Sequence, residues 1–393
     1  MDVACTIVAK PNLAHARVLA RSFRERHPEL PFVVGLSDRV DGCFDPEAEP
    51  FELAELEAFE PPDGAALRFR HEQQELSYAV TPLLLEHLLD RGFRRVLFFK
   101  QESMVLARHD ATYDLLADHA IVLTPHLLEP LGDVDRELEV LLAGTYNLGF
   151  LGVAEAPPAR AFLAWWQRRL RTHCEHAVER GLHFEQRWID LVPGMFDGVR
   201  VLRDPAANVG HWSLPERRVE VAGDDVLVDG RPCRLCRFSG YDPDRPAALT
   251  RYNERLDTAA AGDAGRVFER YRRELLDAGH EQARRWPYAY GHFANGVRIP
   301  RAVRSLYASL GPEAERFGDP FGVGYWSWLT GRDEELPGIT RLFAALWRER
   351  ADVRAAYPRA GDDYEDRRGF NGWATNTGRD EHDIPDEYPV LAG

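Results

Sequence analysis

At 393 residues, 45% of them hydrophobic, and with a net charge of −15, the chain can bury a sizeable core and has the length of two domains, or of one large domain with an appendage. The acidic balance argues against nucleic acid as a partner, because neutralising phosphates requires a basic face, and no apolar run approaches the ~20 residues that span a bilayer. The amino terminus lacks the basic-then-apolar pattern of a secretory signal, and five cysteines, an odd number, fit reduced thiols, so a cytoplasmic protein is expected.

The chain opens with an apolar, strand-like run from Val3 to Ala9 that ends at Lys10. Apolar residues at 13, 16, 19, 20 and 23 then trace one face of a helix, and 31–37 reads as a second strand. This β-α-β opening carries no Gly-x-Gly-x-x-Gly, so a dinucleotide fingerprint is absent. Residues 45–62, acidic and interrupted by prolines, show no period and predict a surface excursion. A helical pattern over 75–89, with Pro82 near its first turn, leads into Val96–Phe99, an apolar run suited to a strand buried on both faces.

That strand halts at Lys100-Gln101-Glu102-Ser103. In an open α/β sheet the carboxyl ends of the strands border the ligand crevice, which makes Lys100, Gln101 and Glu102 candidate site residues; the competing reading is a solvated turn. Lys10 and Lys100 are the only lysines among 49 basic residues, and both follow strands. A retained lysine supplies a compact ammonium where arginine would supply a planar guanidinium. If the two strands are neighbours, both lysines should reach one crevice.

Beyond the central strand, 111–117 reads as a helix, 120–124 as a strand, 133–143 as a short helix and 146–153 as another buried strand. Residues 157–176 predict a long amphipathic helix whose terminal His173 and His176 read as solvated rather than metal-binding. Strand-like segments follow at 199–202, 209–214, 219–221, 226–228 and 233–238, with Asp229-Gly230 a hairpin turn signal. Cys233-x-x-Cys236 lies on the last of these without a second pair, and reads as structural. Near residue 246 the character changes to helices at 265–278, 301–310, 339–349 and 366–375, so the domains are placed at 1–246 and 247–393.

Thr6 to Ser22, Glu75-Leu-Ser-Tyr-Ala-Val-Thr-Pro82, Arg95 to Glu102, Tyr146-Asn-Leu-Gly-Phe150, Phe184 to Asp190 and Phe238-Ser-Gly240 together resemble a GT-A glycosyltransferase of the bacterial, nucleotide-sugar-dependent kind. The resemblance covers residues 1 to about 246. It implies an α/β fold, a Rossmann-like mixed sheet of GT-A type with flanking helices, to which a mainly α-helical carboxyl-terminal domain is attached. It also implies a nucleotide-sugar as substrate, and an Asp-x-Asp turn holding Mn²⁺ or Mg²⁺ against the donor diphosphate.

Here the chain departs from that pattern. Lys100-Gln101-Glu102 stands at the Asp-x-Asp turn, Arg237 stands where a third metal ligand is commonly histidine, Glu185 replaces an aspartate before Gln186, and Thr81 replaces a basic residue. No metal site of the family type, and no cofactor, is expected. Lys100, Glu102 and Glu185 are the expected catalytic residues, and Lys10, Lys100, Arg237, Asn147 and Gln186 are expected to hold the anionic ligand, Lys10 and Lys100 because each follows a strand and Arg237 because it stands at a position the resemblance gives to a metal ligand.

Two readings compete. In one, Lys100 and Arg237 stabilise a diphosphate leaving group without metal, and the sugar passes to a small-molecule, natural-product, glycan or peptide acceptor. In the other, the site has decayed and the fold binds a partner or runs a different reaction. Asn147 either meets a sugar hydroxyl or caps a turn; Asp190 is a weaker candidate for orienting an acceptor; Trp326 and Trp328 read chiefly as core.

Overall fold

The computed structural model describes residues 1–253 and 256–391. The chain divides into two compact units, Met1–Glu60 with Gln74–Tyr288, and Pro61–Gln73 with the chain from Ala289 onward.

The first unit is built on a seven-stranded mixed sheet. Its strands are β1 (Asp2–Val8), β2 (Phe32–Leu36), β3 (Glu52–Glu55), β4 (Arg95–Phe99), β6 (Ile121–Pro125), β7 (Tyr146–Ala154) and an edge strand Val199–Val201; β5 (Ser103–Val105) lies outside it. From one edge to the other the order is Val199–Val201, β6, β7, β4, β1, β2, β3. β1 runs parallel to β2 and β4, whereas β7 is antiparallel to both β4 and β6. This is a mixed α/β sheet with flanking helices, as the sequence leads one to expect.

Side chains alternate across each strand, so β4 serves two layers. Leu97 and Phe99 join a cluster with Leu19 and Phe23 of the helix Leu13–Arg26 and with Leu116 of the helix Asp110–Asp118. The opposite layer holds the helices Thr81–Asp90 and Pro157–Leu170, which pack on each other. Both layers are closed, which is why Val96–Phe99 reads as an uninterrupted apolar run.

Several expectations need correction. Residues 45–62 contain β3, an edge strand of four residues with one buried side chain, too short and polar to show a period. The helix after Pro157 ends at Leu170; His176 then pairs with His183 in a short antiparallel bridge, so His173 and His176 do not share a helix face. Residues 209–214 contribute one bridge, Val209 to Cys236, rather than a strand. The Asp229-Gly230 turn is present, with both residues at positive φ (51° and 76°) and Val228 opposite Arg231.

The composition change near residue 246 does not coincide with the division between units. The helix Asp263–Asp277 buries Val267, Phe268, Tyr271 and Leu275 in the cluster of the first unit, and Tyr271 stacks on Phe238 with ring centroids 3.7 Å apart. Within the second unit, Phe69 packs against Tyr307, Phe293 and Tyr325, and Arg304 donates to the carbonyl oxygens of Phe69 (2.7 Å) and His71 (3.0 Å). Residues 61–73 thus belong to this helical unit although they precede it by more than two hundred positions. Trp326 packs on Phe293 and Tyr388 there, as core.

Candidate functional site

β4 is tied to β7 to its last residue, and the Lys100 N–H still donates to the Gly149 carbonyl at 3.0 Å. The chain then turns through Gln101 and Glu102 into β5, which pairs antiparallel with Leu235–Arg237 and sets Arg237 opposite Ser103. The Phe238 N–H donates to the Glu102 carbonyl at 2.7 Å. This pairing carries Arg237 to the turn at the end of β4, across a sequence separation that no local pattern bridges.

A cavity of about 520 Å³ opens at that end of the sheet. Lys100, Asn147, Glu185, Gln186 and Arg237 all line it, five of the seven residues expected to catalyse or to hold the ligand. The Lys100 ammonium forms an ion pair with the Glu185 carboxylate and lies 3.8 Å from the centre of the Tyr78 ring. Glu185 is 1% exposed, and among the described residues only the Lys100 ammonium meets its carboxylate, so the charge of Lys100 is what offsets its burial. Phe184, at φ 48°, turns the chain through the left-handed region just before Glu185, and Trp166 Nε1 donates to the Glu185 carbonyl at 3.2 Å. Burial, with Glu185 nearby, raises the pKa of the Tyr78 phenol.

Arg237 is 5% exposed. Its Nη2 lies 3.6 Å from Glu102 Oε2 and 3.5 Å from Ser239 Oγ, while Nη1 is buried with no partner among the described residues. The guanidinium stem crosses β7 at Gly149, where an added Cβ would stand 2.4 Å from Arg237 Cδ. Asn147, on the same strand, is held from both ends of its amide: Oδ1 accepts from the Gly149 N–H (2.7 Å) and from Asn208 Nδ2 (3.1 Å), and Nδ2 meets His126 Nε2 at 2.9 Å. Gln186 accepts from the Leu148 N–H (2.9 Å) and donates to the Ala143 carbonyl (3.0 Å), so it braces β7 against the segment before it. Asp190 is likewise structural, accepting from the Thr145 N–H at 2.8 Å and pairing with Arg187.

Two of the seven fall outside the cavity wall. Glu102 is turned to Arg237. Lys10 is fully buried, its Nζ 2.6 Å from Asp41 Oδ2 and 3.8 Å from Asp38 Oδ1. β1 and β4 are indeed neighbours, yet the turn Lys10–Asn12 directs the Lys10 side chain to the loop after β2. Its charge is already balanced, and it is not one of the residues that meet the cavity.

Sequence reasoning missed the aromatic and imidazole walls: Tyr78, His126, His183, His211, Trp212 and Tyr252. Burial lowers the pKa of His126 and His211 to about 3, and that of His183, with Lys100 as a further cause, to about 4. His126 follows the last residue of β6, so the rule that singled out Lys100 applies to it equally. Among the described residues the one cluster of metal-ligating types is His27, Glu29 and Asp110, none of which lines the cavity, and Arg108 already pairs with both carboxylates.

No family model matches the chain. The uncharacterized protein YfnF of Bacillus subtilis (strain 168) is 23% identical over 244 residues, which span 60% of this chain and 80% of that protein. A second uncharacterized protein of the same strain, YfnD, is 22% identical over 200 residues, spanning 48% of this chain and 61% of its own. Among solved structures, the galactosyltransferase LgtC in complex with donor and acceptor sugar analogs aligns with 70% of this chain and 96% of its own, at 14% identity and a TM-score of 0.42. The glycosyltransferase GlyE of Streptococcus pneumoniae TIGR4 aligns with 75% of this chain and 67% of its own, at 11% identity and a TM-score of 0.42.

Proposed function

We propose that the chain transfers a glycosyl group from a nucleotide-sugar, with Lys100 and Arg237 supplying the positive charge that a divalent cation supplies in the enzymes its sequence resembles. The observation that carries this reading is the convergence of an ammonium and a guanidinium, from two strands of different sheets, on one cavity at the carboxyl end of β4. Arg237 Nη1 is buried and has no partner among the described residues, a donor that an anionic oxygen would satisfy. The donor set does not suit a hard cation: the turn offers one carboxylate, Glu102, and the Arg237 guanidinium is 3.6 Å from it.

In this reading the anomeric carbon–oxygen bond breaks with its electron pair passing to the diphosphate, whose charge Lys100 and Arg237 stabilise where it develops. The acceptor hydroxyl bonds to the anomeric carbon and yields its proton to Glu185, which a diphosphate competing for Lys100 would release from its ion pair. Asn147 and Gln186 hold the floor of the cavity in place through β7 rather than by donating to the ligand.

Thermal-shift and calorimetric titration with nucleoside diphosphates and nucleotide-sugars, with and without EDTA, tests the reading. Binding that survives EDTA, followed by sugar release or transfer, is the expected result. Absence of binding across the nucleotide panel would favour the other reading, a repurposed fold that binds a partner or runs a different reaction.

A further inference from the structure

His173 and His176, neighbours in sequence, part company in the fold, and His176 takes His183 as its partner. Gly181, at φ 76°, turns the chain back, so that the antiparallel pairing of His176–Ala177 with Leu182–His183 sets the two histidines directly opposite each other. The ladder continues past them, the Phe184 N–H donating to the Glu175 carbonyl at 2.9 Å. Their ring centres are 5.1 Å apart with planes at 68°, and the Phe184 ring lies 5.5 and 5.6 Å from the two. Opposed residues on paired strands hold their Cβ atoms about 5 Å apart, within reach of one shared partner.

Neither imidazole has a hydrogen-bond partner among the described residues, and both line the cavity that holds Lys100 and Glu185. His173, by contrast, bonds Thr172 Oγ1 at 2.7 Å, and His126 meets Asn147. Burial first, and then Lys100, lowers the pKa of His183 to about 4, so near neutral pH its ring is uncharged and keeps a free lone pair. The cations beside it are already balanced, Lys100 by Glu185 and Arg187 by Asp190.

A tetrahedral ion about 2.1 Å from one nitrogen of each ring sets the ring centres about 5 Å apart, the separation that this pair has. Imidazole nitrogens suit zinc, nickel and copper, whereas magnesium and manganese prefer oxygen.

We propose that His176 and His183 form a two-imidazole site for a borderline divalent ion, Zn²⁺ or Ni²⁺, on the wall of the cavity. Two protein nitrogens leave the ion's other positions to water or to an oxygen of whatever occupies the cavity. The site is a pair rather than a cluster of three, so its affinity rests on the chelate, and losing either ring loses it. It stands on a different segment from the turn at Lys100 and Glu102, so chelation empties it without touching Lys100 and Arg237, and it does not depend on the transfer reading above.

Calorimetric titration of the full chain with Ni²⁺ alone tests the site. One equivalent is expected to bind, at least tenfold more weakly in His176→Gln and in His183→Gln, while His173→Gln binds as the parent does. Melting temperatures of the metal-free variants check that the fold is intact. Absence of a stoichiometric site overturns the proposal. So does a site that survives both substitutions or is lost equally in His173→Gln, either of which marks an adventitious ion only. Should a variant fail to fold, electron paramagnetic resonance of the parent with one equivalent of Cu²⁺ decides: two coordinated imidazole nitrogens are expected, and one or none overturns the proposal. No nucleotide enters these measurements, so a chain that binds Ni²⁺ and no nucleotide refutes the transfer reading alone, and the reverse result refutes the ion site alone.

Discussion

Gly149 lies directly under Arg237: a Cβ at that position would stand 2.4 Å from Arg237 Cδ, and 2.6 Å from Asn147 Oδ1. The missing side chain on β7 is what lets a buried guanidinium reach the turn at the end of β4. Gly149→Ala is therefore expected to lower stability by about 1–3 kcal/mol, the cost of overpacking, and to displace Arg237 from the cavity. Diphosphate affinity should fall with it. Thermal melting and calorimetric titration of the variant check both, and a Gly149→Ala protein that binds diphosphate like the parent would show that Arg237 does not hold the ligand.

Lys100 and Glu185 form a buried pair, and removing one member leaves the other charge uncompensated. Lys100→Ala is expected to destabilise the fold by about 3–5 kcal/mol, and adding Glu185→Gln should restore much of that loss. Nucleoside diphosphate binding should be weaker by roughly 1.5–3 kcal/mol in both the single and the double variant, because the lost bond is to a charged group. Denaturant melts paired with titrations separate the two effects. Recovered stability with recovered binding would remove Lys100 from the ligand site.

Chelation should leave binding and turnover intact, since the turn that would hold a divalent ion carries Lys100 and an Arg237–Glu102 contact. Activity lost on EDTA treatment and regained with Mn²⁺ would overturn the assignment of Lys100 and Arg237 as the charge carriers.

How much of this was legible depends on whether the cause was local. Val96–Phe99 announced a strand closed on both faces, and the Lys100 that follows it lines a cavity at the strand's end, because burial and its end are written in consecutive residues. The meeting of Arg237 with the same turn was inferred from resemblance, and the structure brings it about by the β5 pairing. Lys10 went the other way: strand adjacency was right, but Asp38 and Asp41 had nothing in their spacing to mark them as its partners. The clearance at Gly149 and the ring of Tyr78 under Lys100 arise only from packing. The helix Gly64–Arg70 was not read from the sequence, and nothing local says which unit will bury Phe69.

His126 offers a pH test. Burial is the main cause that holds its pKa at about 3, below the roughly 6.5 of an unfolded histidine. As pH falls below about 6.5 the unfolded chain takes up a proton that the folded chain refuses, so the stability present above that pH declines as pH drops toward 3, by up to about 1.4 kcal/mol per pH unit. His15 and His109, both near 3 and chiefly for the same reason, add to the slope. The local cost is specific: Asn147 Nδ2 lies 2.9 Å from His126 Nε2 and needs it as an acceptor, so protonation would set two donors against each other behind Gly149 and Arg237. His126→Gln keeps an acceptor oxygen without the titration. Between pH 6.5 and 5, above most carboxylate titrations, its melting temperature is expected to fall less steeply than that of the parent chain. Parallel curves would mean that His126 is not among the groups whose burial sets the acid limit of the fold.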